Sequence, residues 1–394
     1  MKSREVRQMG CKTPCKMAMV IGDDHYNTLG VVRSLGEAGF FVALVLLSEH
    51  AVCVTKSRWV SECLVASDKE MVYEAIVDIC SRTQGDVGVI PTSDTAALIV
   101  NGFLDKLPSN CIAPGVKGDL MALEDKSFAK EIACSCGLDT ASGYVVRSEE
   151  EGMRVIADLQ FPVIIKPVVS VEGKKADITI AASKEEFSLC LKSFFSGGYG
   201  RVMVEQYICG QGSHMVEVLG YRCQNGVSSV VGIIEKIREY PLKNGSTSYA
   251  RVVDAHEGID LSAVRAFIEK AGFVGIYDME FKFCCGTAFF IECNFRIGAP
   301  SYAMTKLGCN IPALWISGAR GPTLVAGERP FMVEQRDVFH VVKKNVSVSE
   351  WIGQFRGSSH IFAVKGDMRP IWAYWADLIA TRVRKCLQLG KSGK

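Results

Sequence analysis

The chain has 394 residues, 48% of them hydrophobic, and a formal charge of +2 from 45 Lys and Arg against 43 Asp and Glu. That length exceeds one ordinary core, so two or three domains are expected, and the near-neutral charge excludes a general nucleic-acid binder, whose footprint is a marked basic excess. Sixteen cysteines occur with no C-x-x-C spacing and no His-rich companion, which excludes a zinc framework and suits small buried hydrophobes in a reducing cytosol.

Residues 1–15 form a tail. The first 16 residues are basic and polar, and the apolar stretch from Met17 is interrupted by Asp23 and Asp24, so no secretory signal is expected. The longest apolar run, Phe40 to Leu47, suits a buried strand rather than a membrane span. Residues 16 to 110 alternate strand and helix signals: KMAMVIG, a helix from about Leu29 to Ala38, FFVALVLL, a helix near 68 to 82, and DVGVIPTSD. This alternation predicts a parallel sheet wrapped by helices. Ligand-facing loops in such sheets lie beyond the carboxyl ends of the strands, which singles out Gly22-Asp23-Asp24-His25-Tyr26-Asn27 and Pro91-Thr92-Ser93-Asp94. Neither carries a G-x-G-x-x-G fingerprint.

A turn at Ala113-Pro114-Gly115 opens a helix containing Asp125-Lys126 and ending near Cys136-Gly137. FPVIIKP then gives a short strand carrying Lys166, followed by a Gly173-Lys174-Lys175 turn, a helix over about 184–195 and the strand RVMVEQYI at 201–208. HMVEVLGY, NGVSSVVGIIEKI and NGSTSYARVV continue an antiparallel pattern. Helices are expected over about 261–271 and near 310–319, and Gly321-Pro322 marks off a last, smaller region.

The segment GIYDMEFKFCCGTAFFIECNFRIG, residues 275 to 298, carries the chemistry. Two apolar-alternating runs flank Cys285-Gly286-Thr287 and predict a hairpin. Asp278, Glu280 and Lys282 share one face of its first strand, Glu292 and Asn294 one face of its second. With a three-residue loop Glu280 lies opposite Glu292, side-chain roots roughly 5 Å apart, and like charges so placed need a cation. Two carboxylates and an amide oxygen form a hard, all-oxygen set suited to Mg²⁺; the plainer reading is a solvated hairpin. Arg296 favours the first, because a guanidinium is the natural partner of a phosphate or acyl-phosphate oxygen. Lys166 sits in an apolar run where an unpaired ammonium is costly to bury, a cost that a ligand phosphate would offset.

The ordered set of a helix lysine (Lys126), a strand lysine (Lys166), a small-residue loop, the strand MVEQYI and the pair EF…IECNFR resembles the ATP-grasp ligases. The last segment is similar to their E…E-x-N-x-R signature, with Phe295 where proline is usual and Ala299-Pro300 in place of a small glycine pair. The resemblance covers about residues 16 to 320 and implies an α/β and α+β multidomain fold. Its parts are a Rossmann-like parallel-sheet (pre-ATP-grasp) domain over 16–114, an ATP-grasp domain over 115–320 with a lid at about 140–200, and a small C-terminal region over 321–394. It implies ATP and Mg²⁺, with Mn²⁺ as the alternative metal. The implied reaction has a carboxylate attack the γ-phosphate, giving an acyl phosphate and ADP, before an amine displaces phosphate.

Carried over by position, Lys126 and Lys166 would touch the α- and β-phosphates and Lys174 would help cover them. Glu205, Gln206, Tyr207 and Ile208 would form the hinge, with backbone groups of the last three reading the adenine edge. His214 would meet the ribose or be a half-buried strand histidine. Glu280, Glu292 and Asn294 would hold one or two Mg²⁺, and Arg296 would stabilise the transferring phosphoryl group. Within the superfamily, IREYPLKNGSTSYARVV and the tail of the hairpin look like the D-aspartate ligase type of carboxylate-amine ligase. That likeness makes Arg238 and Arg251 candidates for gripping the carboxylate or acyl phosphate, against plain surface ion pairing.

The alternatives are a nucleotide-binding sensor with the same fold and a carboxylating relative. Intact Glu280, Glu292, Asn294 and Arg296 disfavour the first, and the lack of a Met-Lys-Met segment lowers the second. Expected partners are a small carboxylate and an amine in the cytoplasm, with no nucleic acid and a homodimer left open. Residues 371–385 combine Trp372, Tyr374 and Trp375 with Arg382, Arg384 and Lys385, a composition that could meet a membrane surface; packing of the aromatic face on the domain is the expectation.

Overall fold

Five parallel strands open the fold: β1 (Met17–Gly22), β2 (Phe41–Leu46), β3 (Val60–Val65), β4 (Val87–Pro91) and β5 (Cys111–Ile112), in the order β3-β2-β1-β4-β5. A computed structural model describes residues 16–48, 50–169, 177–208, 215–242, 245–325, 327 and 330–389, with side chains to 384. β1 and β4 are buried along their whole length, as continuous apolar runs in a two-sided parallel sheet must be. β3 is mostly exposed at the sheet edge, and its sequence VSECLV gives too weak an alternation to predict. Around the sheet lie α1 (Tyr26–Glu37), α2 (Lys69–Arg82) and α3 (Asp94–Gly102). Asp68 and Ser93 cap α2 and α3 by accepting from the Met71 and Ala96 amides. Strand order reverses between β1 and β4, so the loops after these two strands meet at the topological switch point.

Next come α4 (Leu120–Glu124), α5 (Lys126–Ser135) and β6 (Asp139–Thr140). The lid follows: β7 (Gly143–Val146), α6 (Glu149–Val155), β8 (Val163–Pro167), β9 (Thr179–Ala181), α7 (Lys184–Ser196) and β10 (Val202–Gln206). Its antiparallel order is β7-β10-β8-β9, with Val163, Ile165, Val202 and Val204 facing Phe187 and Leu191 of α7. The remaining elements are β11 (Met215–Arg222), β12 (Ser228–Tyr240), β13 (Ser246–Val253), α8 (Leu261–Ala271), β14 (Gly275–Cys284), β15 (Thr287–Asn294), α9 (Ser301–Lys306), α10 (Ile311–Ile316), β16 (Pro330–Met332), α11 (Glu334–Val342), α12 (Val348–Gly357), β17 (Ser359–His360) and α13 (Arg369–Leu389).

The large sheet runs β17-β16-β13-β12-β11-β14-β15-β6. One face, with Val216, Val218, Tyr277, Met279 and Phe281, packs on Ile132 of α5 and Phe267 of α8. Phe295, in the position of the usual proline, fills this core against Phe273, ring centres 5.0 Å apart. On the opposite face Leu219, Tyr221, Ile234 and Ala250 pack with α1, α9 and α10 against β1 and β2. Towards the lid that second face turns polar, carrying Glu217, Lys236, Asp278 and Glu280.

The C-terminal region is no free appendage. β16 and β17 extend the large sheet beyond β13, and the 361–367 segment is tied to the first domain through buried Arg33. The Arg33 Nε lies 2.8 Å from Asp367 Oδ2, and Asp367 also accepts from Ser57 Oγ at 2.7 Å and the Arg58 amide at 2.8 Å. Among the described residues no helix is long and apolar enough to cross a membrane. In α13 Ile371 and Tyr374 pack on the core while Trp372 is exposed.

Candidate active site

β14 and β15 close through Cys285-Gly286, at φ 51° and 85°, the left-handed pair that a two-residue hairpin turn demands. The ladder pairs Phe281 with Phe290, skips Ile291 as a bulge, and then sets Glu280 opposite Glu292 and Asp278 opposite Asn294. The three-residue loop expected from the sequence is thus a two-residue turn plus a bulge, and the carboxylates are opposed by either route. On the other flank β11 sets Glu217 beside Glu280. Lys236 of β12 lies 3.9 Å from Glu217 Oε1, which also accepts from Thr247 Oγ1 at 2.8 Å.

This density of acid has electrostatic consequences. Burial pushes the Asp278 carboxyl well above the usual range, and Glu217 and Glu280 add to it. Its Oδ1 has no hydrogen-bond partner among the described residues. Gly298 makes room for it, since a Cβ there would stand 2.2 Å from Asp278 Oδ2. Burial works against the Lys236 charge, but Glu280 and Glu217 outweigh it and raise its pKa to about 12.

Lys126 opens α5, where the sequence suggested a helix interior. Asp125 ends α4 and caps α5, accepting from the Ser127 and Phe128 amides at 2.9 and 3.2 Å. The Lys126 amide donates to the Val168 carbonyl at 3.0 Å, which fixes the helix start to the end of β8. Its Nζ lies 3.1 Å from Glu292 Oε2. Burial opposes that charge too, and Glu292 more than compensates. In the lid, Met203, Glu205 and Lys166 share the face turned from the apolar core. Lys166 and Lys130 each form an ion pair with one oxygen of buried Glu205. Desolvation of this carboxyl is overcome by the two lysines, which hold it below the usual range. Amides of Gln206 and Tyr207 donate to the Ser142 and Pro162 carbonyls at 2.9 and 3.0 Å, and Lys282 Nζ lies 4.4 Å above the Tyr207 ring. Lys174 and His214 lie outside the described residues.

Arg296 joins the domains. Its Nε donates to Asp94 Oδ1 at 2.8 Å and its NH2 to Asn294 Oδ1 at 2.9 Å. Asn27 Nδ2 donates to the Thr92 carbonyl at 2.9 Å and the Ile297 carbonyl at 3.0 Å, so both loops singled out in the first domain hold the segment that carries Arg296. Asp94→Asn is expected to lower kcat about tenfold or more with little change in the KM for ATP, because a hydrogen bond to a charged group is worth about 1.5–3 kcal/mol. Steady-state kinetics that showed only a KM effect would contradict this. Nearby, burial and then Asp94 lift Glu124 to about 8, and its Oε1 has no hydrogen-bond partner among the described residues. A folded-state pKa above the unfolded value gives stability that is complete below the ordinary 4.5 and is lost as pH rises towards 8. Glu124→Gln is expected to remove that decline, whose limiting slope is about 1.4 kcal/mol per pH unit, in denaturant melts taken between these values.

Arg238 and Arg251 are each held in an ion pair. Arg238 is bound to Asp337 through Nε at 3.0 Å and NH2 at 2.7 Å, and stacks on Tyr249. Arg251 pairs with Glu235, which faces Val216 of the α8-side core; it therefore lies on the face of the sheet opposite Glu280. Residues not singled out by sequence reasoning, Glu217, Lys236, Glu124, Lys130 and Arg336, come from elements whose adjacency only the topology creates.

Among the described residues no three His, Cys, Asp or Glu side chains form a metal cage by themselves. Glu280 and Glu292 nevertheless offer carboxylate oxygens, with the unpartnered Asp278 Oδ1 beside them, while Asn294 turns its Nδ2 to Glu280 Oε1 at 3.3 Å and its Oδ1 to Arg296. That set fits a hard cation whose remaining positions are filled by water or phosphate oxygens. Lys126 reaches these carboxylates from α5 through Glu292, whereas Lys166 is paired with Glu205 in the lid.

A small antiparallel sheet facing a large mixed sheet, behind a parallel-sheet unit, is the fold of the ATP-grasp ligases. Residues 125–311 match the family model for the carbamoyl-phosphate synthase L chain, ATP binding domain. The chain is similar to D-aspartate ligase of Enterococcus faecium, 24% identical over 313 residues that span 74% of each chain. It covers only 19% and 20% of two carbamoyl phosphate synthase large chains that it also matches. In fold it is similar to the ADP complex of N5-carboxyaminoimidazole ribonucleotide synthetase (TM-score 0.64, 16% identity, 84% of this chain and 85% of that one). It is likewise similar to L-amino acid ligase from Bacillus licheniformis (TM-score 0.55, 16% identity, 79% and 76%).

Proposed function

We propose that this ligase activates a small carboxylic acid, of amino-acid or peptide-like type, as its acyl phosphate and passes the acyl group to an amine. A carboxylate oxygen attacks the γ-phosphorus and the bond to ADP breaks. The amine nitrogen then adds to the acyl carbon, the bond to phosphate breaks, and the nitrogen loses a proton. Chemistry of this kind needs positioning and charge neutralisation more than a covalent nucleophile.

The observation that carries the reading is the meeting of Arg296, Lys126 and the opposed Glu280 and Glu292 below the lid. Glu280, Glu292 and Asn294 would hold one or two Mg²⁺, which neutralise phosphate charge when bound. Lys126 and Lys166, released from Glu292 and Glu205, would meet the α- and β-phosphates, and Arg296 the transferring phosphoryl group. With the Gln206 and Tyr207 amides already donating within the protein, the Ile208 amide is the hinge donor for adenine. The cytoplasm, where ATP and Mg²⁺ are abundant, suits this reaction.

The test is incubation with ATP, Mg²⁺, hydroxylamine and a panel of acids that includes both aspartate enantiomers, because of the likeness to D-aspartate ligase. ADP together with a hydroxamate is the expected result, since hydroxylamine intercepts an acyl phosphate whichever amine is natural. AMP formation would mean adenylation and overturn the mechanism.

A further inference from the structure

Beyond Lys236, on the side away from Glu280, stands a guanidinium to which the phosphoryl transfer gives no task. Arg336 of α11 is half-buried. Its guanidinium carbon lies 5.1 Å from the centre of the Tyr26 ring. Its NH1 donates to the Tyr240 carbonyl at 3.2 Å, and its NH2 is 3.4 Å from His25 Nε2. These described partners are a carbonyl, an imidazole and an aromatic face, none of them a carboxylate.

The position of Tyr26 connects Arg336 to the acid cluster. Its ring is buried, and Arg336, Ser246, Glu217 and Lys236 all act on its phenol once burial has raised it. Lys236 is already balanced by Glu217, Glu280 and Asp278. The two cations that flank Tyr26 are therefore unequal: one belongs to the acidic cluster, and the other has no carboxylate among its described partners. Backbone placement supports the arrangement. A Cβ on Gly245 would stand 2.0 Å from the Pro241 carbonyl oxygen, so glycine there lets Ser246 close against Tyr26 while Tyr240 holds Arg336. A guanidinium resting on an aromatic face is weakly hydrated and suited to two-pronged binding of a carboxylate.

We propose that Arg336, backed by Tyr26 and His25, grips a second, non-reacting carboxylate, so that the acid activated at Arg296 is a dicarboxylate or an amino dicarboxylate. The proposal rests on the ligase reading for the fate of the first carboxylate only.

Calorimetry of the full chain with Mg-ADP tests it without turnover. The probes are both enantiomers of aspartate and glutamate, each set against its two monoamides. At least one diacid is expected to bind about tenfold or more tightly than either of its monoamides, because an amide leaves the guanidinium unpaired. Arg336→Gln is expected to erase that preference and Arg336→Lys to keep part of it, with Mg-ADP binding and thermal melts of each variant certifying the fold. Equal binding of diacid and monoamides in the wild type, no binding of any diacid while Mg-ADP binds, or an undiminished preference in Arg336→Gln would each overturn the proposal. A diacid that binds by way of Arg336 yet never yields hydroxamate would count against the ligase reading instead.

Discussion

Glu292→Gln is expected to cut ATP-driven hydroxamate formation by about 10²–10³-fold, the scale on which loss of one preorganised charge contact in a reaction centre is felt. Three arrangements converge on this carboxylate. It faces Glu280 across the hairpin, it shares its strand face with Asn294, and its Oε2 holds the Lys126 ammonium at 3.1 Å. The amide is isosteric, so the hairpin has no reason to open. What changes is the charge available to a divalent cation, and the Mg²⁺ concentration for half-maximal activity is expected to rise as turnover falls. Far-UV circular dichroism and a thermal melt certify the fold. Activity within twofold of the wild type, at equal Mg²⁺, would remove Glu292 from the metal site.

Glu205→Gln is expected to act on stability, by about 3–5 kcal/mol, because it strips the common counter-ion from buried Lys166 and half-buried Lys130. Both Lys130 and Lys166 are paired to this one carboxylate, and Lys130 also donates to the Ala141 carbonyl. Since their attraction holds Glu205 below its ordinary range, the stabilisation is complete above the unfolded-state pKa and fades as pH drops through the folded one. The gap between wild type and variant in denaturant melts is thus expected to narrow in acid. Adding Lys130→Met to Glu205→Gln removes one of the stranded charges and is expected to return part of the loss. A single variant as stable as the wild type near neutral pH would mean that the lysines find other partners.

How much of this could be read from the chain depended on which periodicities a linear sequence displays. Alternation over 278–282 and 292–294 revealed the acidic face of the hairpin, and apolar runs revealed β1, β2 and β4. The helix over 261–271 was legible to its last residue, where Gly272 adopts a left-handed φ of 67°. The bulge at Ile291 was not legible, because an unpaired residue leaves the two-residue period of either flank untouched. Lys126 was read into a helix interior, since apolar spacing continues across Asp125 and hides the cap. Glu217 and Lys236 escaped for a different reason. Alternation tells which face a residue occupies but not which strands become neighbours, and β11 lies between β12 and β14 only in the folded sheet. Arg238 and Arg251 show the same limit from the other side, because Asp337 and Glu235 are partners that the local pattern did not nominate.

The strap through Arg33 and Asp367 bears on the order in which the protein can acquire its abilities during synthesis. By residue 296 a growing chain has the hinge, both lysines and the acidic hairpin, all that the phosphates of a nucleotide would meet. Arg336 and the segment that Glu334 fastens by accepting from the Ile361 and Phe362 amides at 3.2 and 3.0 Å are translated later. They reach their places only by folding back onto a helix made some three hundred residues earlier. On the proposed reading a nascent chain would be able to hold nucleotide before it could select an acid, and synthesis has to pass residue 367 before the strap can form.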